Sequence, residues 1–517
     1  MSQNEKLHKA VELTIGAGYQ LDKEAFEFLS NMATTEDPTE IINRAIQKIE
    51  SLKEKPLFID KTFLEQLVKE QEQAGESFPQ QLKPLQTLPE TPPITGKGTF
   101  RPFAKEVDAR IKIIDNPAEK LSSSGTIEDY LEYFQDRFKR IEKLLRQRMD
   151  VKSAASIIDA LKSPANTRLK VIGMIMEKRE AKQKILLTVE DLSASATMLV
   201  PQNAPDEVLK KARFLLLDQV VCFSVVKTRS NLLVVEDIIL PDIAQKSPHK
   251  ASVPVYAVLT SDMHVGSTKF QRDAFNRFLL WLNGKYGTEE MIDIASHVKY
   301  VLVAGDIVDG IGVYPNQVKE LETKDINEQY RLAGKYFEQI PDYIEVAIIP
   351  GNHDAPRKAL PQPPISNAFL EALQENRSVY SLGNPCTLSL HDVEILLYHG
   401  RSLDDIIPTV PEMDSNHPEK AMKLMLQSRH LAPIYGEKTP LSPENRDCLV
   451  IERVPDIFHA GHIHALGYTT YRGVLIVNSG GWQEQTEYMR RLGFVPTPGK
   501  VPVVNLQTLE VSILSFC

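Results

Sequence analysis

The sequence predicts a multidomain α+β protein: a small helical domain first, then a barrel of short strands, then a layered α/β sandwich filling the carboxyl-terminal half. Three observations predict it. Helical apolar stripes occupy the first 72 residues, five short strand patterns lie between Arg168 and Ile239, and from Ser261 onward a series of apolar runs each ends in metal-ligand residues. Length and composition permit this: 517 residues suit three or four domains, and 42% hydrophobic content is ordinary for a soluble globular chain.

The start, MSQNEKLHKAVELTIG, has no apolar signal core and no run is long enough to cross a bilayer, so a cytoplasmic protein with no membrane partner is expected. The four cysteines (Cys222, Cys386, Cys448, Cys517) form no CxxC pair, so neither a disulfide framework nor a structural zinc site is signalled. A net charge of −9 argues against a surface coated in basic residues for nonspecific nucleic-acid binding. A local basic groove, or bound cations, can still supply positive charge at a phosphate site.

Residues 1–72 are expected to be helical. Asp37 caps a helix with Pro38 at its first position and Ile41, Ile42, Ala45, Ile46 and Ile49 on one face, and Asp60 precedes Phe63, Leu64, Leu67 and Val68. These stripes read as core, with partner binding the lesser alternative. Residues 73–99, proline-rich and poor in aromatics, read as a flexible linker. Residues 100–164 read as a helical connector, whose main helix opens with Thr126 and Asp129 at capping-box spacing. It carries Ile127, Leu131, Phe134, Phe138, Ile141 and Leu145 on one face. Arg137, Lys139, Arg140, Lys143, Arg146 and Arg148 load the other side, as a solvated face or, alternatively, a DNA-contacting one.

Residues 165–245 hold RLKVIGMIME, QKILLTVE, ATMLVP, a helix near Asp206 to Phe214, VVCFSVVK and NLLVVEDII. Five strands with a helix between the third and fourth suit an OB-type barrel. Such barrels bind single strands through exposed aromatics, but beyond Phe223 these strands hold almost none, so a protein-docking or spacer role is an equal expectation.

Residues 250–517 carry the chemistry. YVLVAGDIVDG reads as a buried strand ending at Gly305 and presenting Asp306, then Asp309. The same arrangement recurs with Asp262 and His264 in LTSDMHVGS, Asn352 and His353 in IIPGNHDAPR, His399 in LLYHGRS, and His462 and His464 in FHAGHIH. In parallel sheets, ligand sites lie at the carboxyl ends of strands. Hydrolysis of a phosphodiester needs a nucleophile at neutral pH and neutralisation of the phosphorus oxygens, and two divalent cations roughly 4 Å apart provide both. Carboxylates supply charge and bridging, while imidazoles hold borderline cations such as manganese, iron or zinc. The expected arrangement places one cation among Asp262, His264, Asp306 and His464, and the second among Asp306, Asn352, His399 and His462. Gly305, Gly351, Gly400 and Gly461 are expected to let the chain turn with positive φ and approach the cations. Asp309 is placed to orient a ligand histidine, and His353 to act as general acid or phosphate stabiliser. Arg357 and Arg401 are candidate phosphate contacts, with a surface ion pair the alternative. His459 reads as a core histidine, and VPVVNLQTLEVSILSFC as closing strands of the sheet.

The ordered set SDMH, GDIVD, GNHD, HG and GHIH resembles the calcineurin-like metallophosphoesterases, a two-metal αββα sandwich family. GDIVDGIGVYPNQ, PGNHDAPRKALPQPPI, YHGRSLDDIIP, LMLQSRHLAPIYG and VNSGGWQEQT go further: over about Phe100 to Cys517 the chain is similar to the small-subunit family of the archaeal D-family DNA polymerases. That resemblance implies a proofreading 3′-to-5′ exonuclease, typically manganese-dependent, whose barrel packs on the phosphoesterase domain; the expected cofactor is two divalent metal ions, manganese first, with iron, zinc or magnesium the alternatives. Its implied partners are a large polymerase subunit, single-stranded or mismatched 3′ DNA ends, and further replication factors such as a sliding clamp. Related eukaryotic B-subunits have lost the metal ligands, whereas every ligand position is kept here. A catalytically silent scaffold and a stand-alone phosphoesterase are the alternative expectations.

Overall fold

The computed structural model describes residues 7, 9–11, 13–14, 19–32, 38–50, 58–61, 63–64, 100–117, 121, 123–181 and 184–517. The expected linker, 73–99, lies outside the described residues, as do Leu67 and Val68. The chain divides into two compact units, Met1–Pro84 and Leu85–Cys517. In the first, β1 (Gln20–Leu21) pairs in parallel with β2 (Phe58–Ile59), beside α1 (Lys23–Met32) and α2 (Pro38–Glu50). Ile41, Ile42, Ala45 and Ile49 of α2 are buried against Ala25, Leu29 and Leu64, as their helical spacing requires.

In the second unit, β4 (Arg168–Ala181), β5 (Lys184–Glu190), β6 (Ser195–Val200), β7 (Val220–Lys227) and β8 (Leu233–Ile239) close into a barrel in the order β4-β5-β6-β8-β7. Val171, Ile175, Leu187, Val189, Met198 and Val225 fill it by strict alternation, and α4 (Asp206–Phe214) adds Val208 and Ala212 to the same core. Phe223 is fully buried there, so it cannot serve as a stacking platform.

Two six-stranded sheets follow. The first runs β12 (Tyr380–Ser381), β11 (Glu345–Ile349), β10 (Val298–Ala304), β9 (Tyr256–Thr260), β18 (Lys500–Asn505), β19 (Val511–Ser515), with β9 to β12 parallel. The second runs β16 (Gly467–Tyr471), β17 (Val474–Asn478), β15 (Ile457–Ala460), β14 (Val393–Leu397), β13 (Cys386–Leu390), β3 (Ile111–Asp115), with β14, β15 and β17 parallel. Alternation along β10 explains the layering. Tyr300, Leu302 and Ala304 face the other sheet, meeting Leu388, Ile395, Leu397, Ile457 and Val477 in one core. Val301 and Val303 face outward, beneath α5 (Arg272–Leu282), α6 (Glu289–His297) and α7 (Ile326–Phe337). On the far side, α8 (Leu403–Thr409) and α9 (Pro418–Ser428) cover Leu396, Phe458 and Ile476. The result is four layers, helix, sheet, sheet, helix.

Residues 100–164 differ from the helical connector expected of them. β3 is an edge strand of the second sheet, hydrogen-bonded to β13, because IKIID buries little side chain and is held by backbone pairing at the sheet's margin. The connector helix α3 (Ile127–Arg146) has the expected capping box, Thr126 Oγ1 accepting from Asp129 N at 3.2 Å and Asp129 Oδ2 from Thr126 N at 3.0 Å. Its buried face is rotated from the expected one: Tyr133, Arg137, Phe138, Ile141 and Leu145 are buried, whereas Ile127 is 84% exposed and Leu131 58%. The basic side is divided: Lys139, Lys143 and Arg148 are exposed, as a solvated face requires, whereas Arg137 and Arg140 dock on the sandwich. Arg137 Nε donates to Asp447 Oδ2 at 2.7 Å and Nη1 to the Pro433 carbonyl at 2.7 Å, while Arg140 Nε donates to Glu452 Oε1 at 3.0 Å.

Candidate metal centre

Because β9, β10 and β11 are parallel to one another, and β14 and β15 likewise, their exit turns gather at one edge of the sandwich. β9 delivers Asp262 and His264, β10 Asp306 and Asp309, β11 Asn352 and His353, β14 His399, and β15 His462 and His464. The turns are unusually tight. Asp262 (φ 51°), His264 (φ 51°), Asp306 (φ 53°), His462 (φ 71°) and His464 (φ 58°) all lie in the left-handed region that non-glycine residues avoid. The glycines divide the labour differently from the expectation. Gly305 (φ 90°) and Gly400 (φ 110°) supply positive φ, whereas Gly351 and Gly461 supply room: a Cβ would collide with the Asp306 carboxylate at the first and with Ser261 and Asp262 at the second.

The ligand atoms of Asp262, His264 and His464 lie within 4.8 Å of one another, and so do those of Asp306, His399 and His462. His264 Nε2 is 3.1 Å from His464 Nε2, 3.8 Å from Asp306 Oδ2 and 3.9 Å from Asp262 Oδ1, and His464 Nε2 is 3.4 Å from Asp262 Oδ1. His399 Nε2 is 3.3 Å from Asp306 Oδ2 and 3.0 Å from Asn352 Oδ1. Tautomers follow from the outer partners. His264 Nδ1 faces Asp309 Oδ1 at 2.9 Å and His399 Nδ1 faces the Ala304 carbonyl at 2.8 Å, so Nδ1 of each ring carries a proton and Nε2 of each is turned toward the other side chains of the cluster.

Two buried carboxylates, Asp262 and Asp306, beside four imidazoles favour positive charge at this edge. Asp262 Oδ1 and His464 Nδ1 are buried without a hydrogen-bond partner among the described residues. Burial disfavours the charged form of His399, yet the Asp306 carboxylate outweighs it and lifts the imidazole to about 9. Burial likewise opposes ionisation of Asp306, but His399 and His353 hold it well below the usual carboxylate range. For Asp262, burial is overcome chiefly by His464, bringing it to about 2. This donor set of carboxylates, imidazoles and one amide fits divalent cations.

Asp309, fully buried, also accepts from Gln317 Nε2 at 3.0 Å and Gln483 Nε2 at 3.1 Å, which fixes the carboxylate beneath His264. His353 Nδ1 donates to the Asp309 carbonyl at 2.7 Å, and its ring meets that of His264 edge-on at 4.5 Å. Burial pushes His353 down to about 4 against the pull of Asp306, so in the free site it is neutral. A groove of about 640 Å³ opens over the cluster, lined by Arg401, Lys358, Lys438, Tyr314, Tyr488 and Phe494 among others. Arg357 is not on it: its Nη2 is engaged by Glu444 Oε1 and the Pro361 carbonyl, both at 2.7 Å, so the ion-pair alternative describes it better than a phosphate contact. His459 is a core residue, Nε2 against Ser479 Oγ at 3.0 Å.

The family of B-subunits of DNA polymerases alpha and epsilon matches residues 257–466, the stretch that carries all seven candidate ligands. The DNA polymerase II small subunit of Methanocaldococcus jannaschii is 38% identical over 414 residues, covering 78% of this chain and 68% of that protein. That of Archaeoglobus fulgidus is 39% identical over 393 residues, covering 76% and 78%. The chain belongs to the DNA polymerase II small subunits. The small subunit of Pyrococcus furiosus is 38% identical over 395 residues, 75% of this chain but only 64% of that longer relative. A solved structure of a novel archaeal phosphodiesterase, 14% identical, covers 50% of this chain and 99% of its own at a TM-score of 0.26.

In this small subunit, two aspartates at the site lie outside the residues that the sequence pattern singles out. Asp404 Oδ2 sits 3.2 Å from His462 Nε2, and His462 outweighs the effect of burial to bring the carboxyl to about 2. Asp354 accepts from Gly351 N at 2.8 Å and Ile307 N at 3.3 Å, tying the turn after β11 to the turn after β10. The final aspartate of GNHD and the first of LDDIIP were the available signals; only the fold reveals what each faces.

Proposed function

We propose that this small subunit is a two-metal 3′-to-5′ DNA exonuclease that proofreads for a large polymerase subunit within a replicative D-family polymerase, on a calcineurin-like phosphoesterase sandwich beside an OB-type barrel. One observation carries the reading: seven side chains from five strand ends converge, with the carboxylate and imidazole ligand atoms of Asp262, His264 and His464, and of Asp306, His399 and His462, each within 4.8 Å of one another, the spacing that could hold a metal ion. A catalytically silent scaffold has no need to retain that arrangement, with its buried unpartnered carboxylate oxygen and its strained turns.

Asp262, His264, Asp306 and His464 would hold one cation, and Asp306, Asn352, His399 and His462 the other, manganese being the cation that the mixed oxygen and nitrogen donors suit. When bound, such a pair supplies Lewis acidity toward the phosphodiester oxygens and a nucleophilic water at neutral pH. The chain's own residues do the rest. Asp309 fixes the His264 ring. Asp404 holds Nε2 of His462, leaving Nδ1 as its donor nitrogen. His353, with Nδ1 committed to the Asp309 carbonyl, presents Nε2 for the departing 3′-side sugar oxygen, and the negative charge of the arriving substrate raises its proton affinity for that task. Arg401 and Lys358 line the groove where a backbone phosphate would lie.

The test is hydrolysis of 3′-labelled single-stranded and mismatched-primer DNA by the full chain with and without manganese. Degradation that requires the cation and is lost in Asp306→Ala is expected; a variant degrading DNA at the parental rate overturns the reading.

A further inference from the structure

Beyond the metal ligands, the groove contains a row of rings that the fold itself does not need. Tyr488, in the first turn of α10 (Glu487–Leu492), is 48% exposed and stacks on Tyr314 at 5.6 Å with the ring planes 27° apart. Tyr314 in turn lies 6.1 Å from the His353 ring, and His353 lies 4.5 Å from His264. The rings therefore step from solvent to the metal cluster along one wall. Tyr314 is anchored by its hydroxyl, which donates to Glu320 Oε2 at 2.8 Å, and neither tyrosine belongs to a hydrophobic core. The same groove carries Lys358, Arg401 and Lys438 in a chain whose net charge is −9. Exposed aromatic faces beside a local cluster of cations are the combination that binds unpaired nucleic acid: bases have π-faces to stack and phosphates to neutralise.

We infer that Tyr488, held in place by the Tyr314 ring stacked beneath it, is the specificity-determining platform of the site, its exposed face stacking the unpaired 3′-terminal base while Lys358 and Lys438 hold the backbone. The inference rests on the exonuclease reading and supplies what that reading lacks, a means of telling matched from mismatched ends. A terminal base must leave its own stack to lie on Tyr488, and leaving costs least when the base is mispaired or single-stranded. Selection then occurs before chemistry, by the ease with which the end melts.

The experiment uses the full chain and an oligonucleotide with 2-aminopurine at its 3′ terminus, whose fluorescence is quenched on stacking, first in EDTA and then as a hydrolysis substrate with manganese. The parent quenches the probe in EDTA, and Tyr488→Ala and Tyr314→Ala lose the quenching while Tyr488→Phe keeps it. With manganese, the alanine variants raise KM for single strands by about 5- to 150-fold, the span of base–aromatic stacking. Their preference for mismatched over matched ends falls toward one, with kcat little changed. Unaltered quenching and mismatch preference in both alanine variants, or no quenching by the parent, overturns the inference. The two readings fail separately: a parent that quenches but never hydrolyses removes the nuclease and leaves the stacking, whereas hydrolysis with tyrosine-independent selectivity does the reverse.

Discussion

At the scale of single residues, the site is built from conformations that a side chain does not choose freely. Asp306 holds φ at 53° so that one carboxylate can face both His264 and His399. For a residue with a Cβ and no local polar compensation, that conformation costs about 1–2 kcal/mol relative to glycine. Asp306→Gly and Asp306→Ala should therefore both abolish hydrolysis, but the glycine variant should be more stable by about 1 kcal/mol in urea unfolding; equal midpoints would show that no strain resides there. The Asp404–His462 contact leads to a second expectation. Removing a carboxylate that orients a ligand histidine weakens metal affinity by about 10- to 100-fold. On the proposed reading, Asp404→Ala should thus weaken by that factor the manganese that His462 would hold, in equilibrium titration, and leave the other unchanged. The side chains that converge here were legible because Asp, Asn and His followed apolar runs. Asp404 was not, since its partner His462 is remote in sequence and nothing local distinguishes it from its neighbour Asp405.

At the scale of elements, strand alternation was readable and helix orientation was not. The barrel strands and the buried run Val298–Ala304 announce themselves through β-branched residues, and their partners follow from parallel pairing. In α3, the arginines are expected to point outward, as their charge ordinarily demands. Asp447 reverses that for Arg137: it accepts from Arg137 Nε at 2.7 Å and pairs with His430 Nε2 at 2.8 Å, so this one arginine is buried with the apolar face. Burial opposes ionisation of Asp447, yet His430 and Arg137 hold its carboxyl far below the usual range. Breaking such a buried pair by removing one partner costs about 3–5 kcal/mol, which is the loss expected for Arg137→Ala in neutral urea unfolding. The sign of its pH dependence follows. A depressed carboxyl stabilises fully above its unfolded value of about 3.9 and loses that contribution as pH falls through the folded value. The gap between parent and Arg137→Ala should therefore be constant near neutrality and narrow below about pH 4; a gap that widened in acid would exclude Asp447 as its source.

For the second unit taken whole, the centre is divided between the two sheets. Asp262, His264, Asp306 and Asn352 leave the first sheet, and His399, His462 and His464 leave the second, so the sandwich core of Leu302, Leu397 and Ile457 sets the distance at which the two half-sites face each other. On the proposed reading, a cation held from both sides would be a clasp across the sandwich, and its binding energy would become folding energy. At a free concentration one hundred times its dissociation constant, a ligand stabilises the folded state by about 2.7 kcal/mol. Manganese should accordingly raise the melting temperature of the full chain, and EDTA should reverse the rise. The clasp also predicts where the protection appears. Amide exchange should slow at the exits of β9, β10 and β11 and equally at those of β14 and β15, while the barrel interior around Val171 and Leu187 stays unchanged. In Asp306→Ala, which lacks the carboxylate common to both halves, protection should shrink to the remaining donors and lose its symmetry across the sheets. Protection confined to one sheet in the parent would mean that the cations sit in one half-site alone, and the shared-carboxylate arrangement would have to be given up.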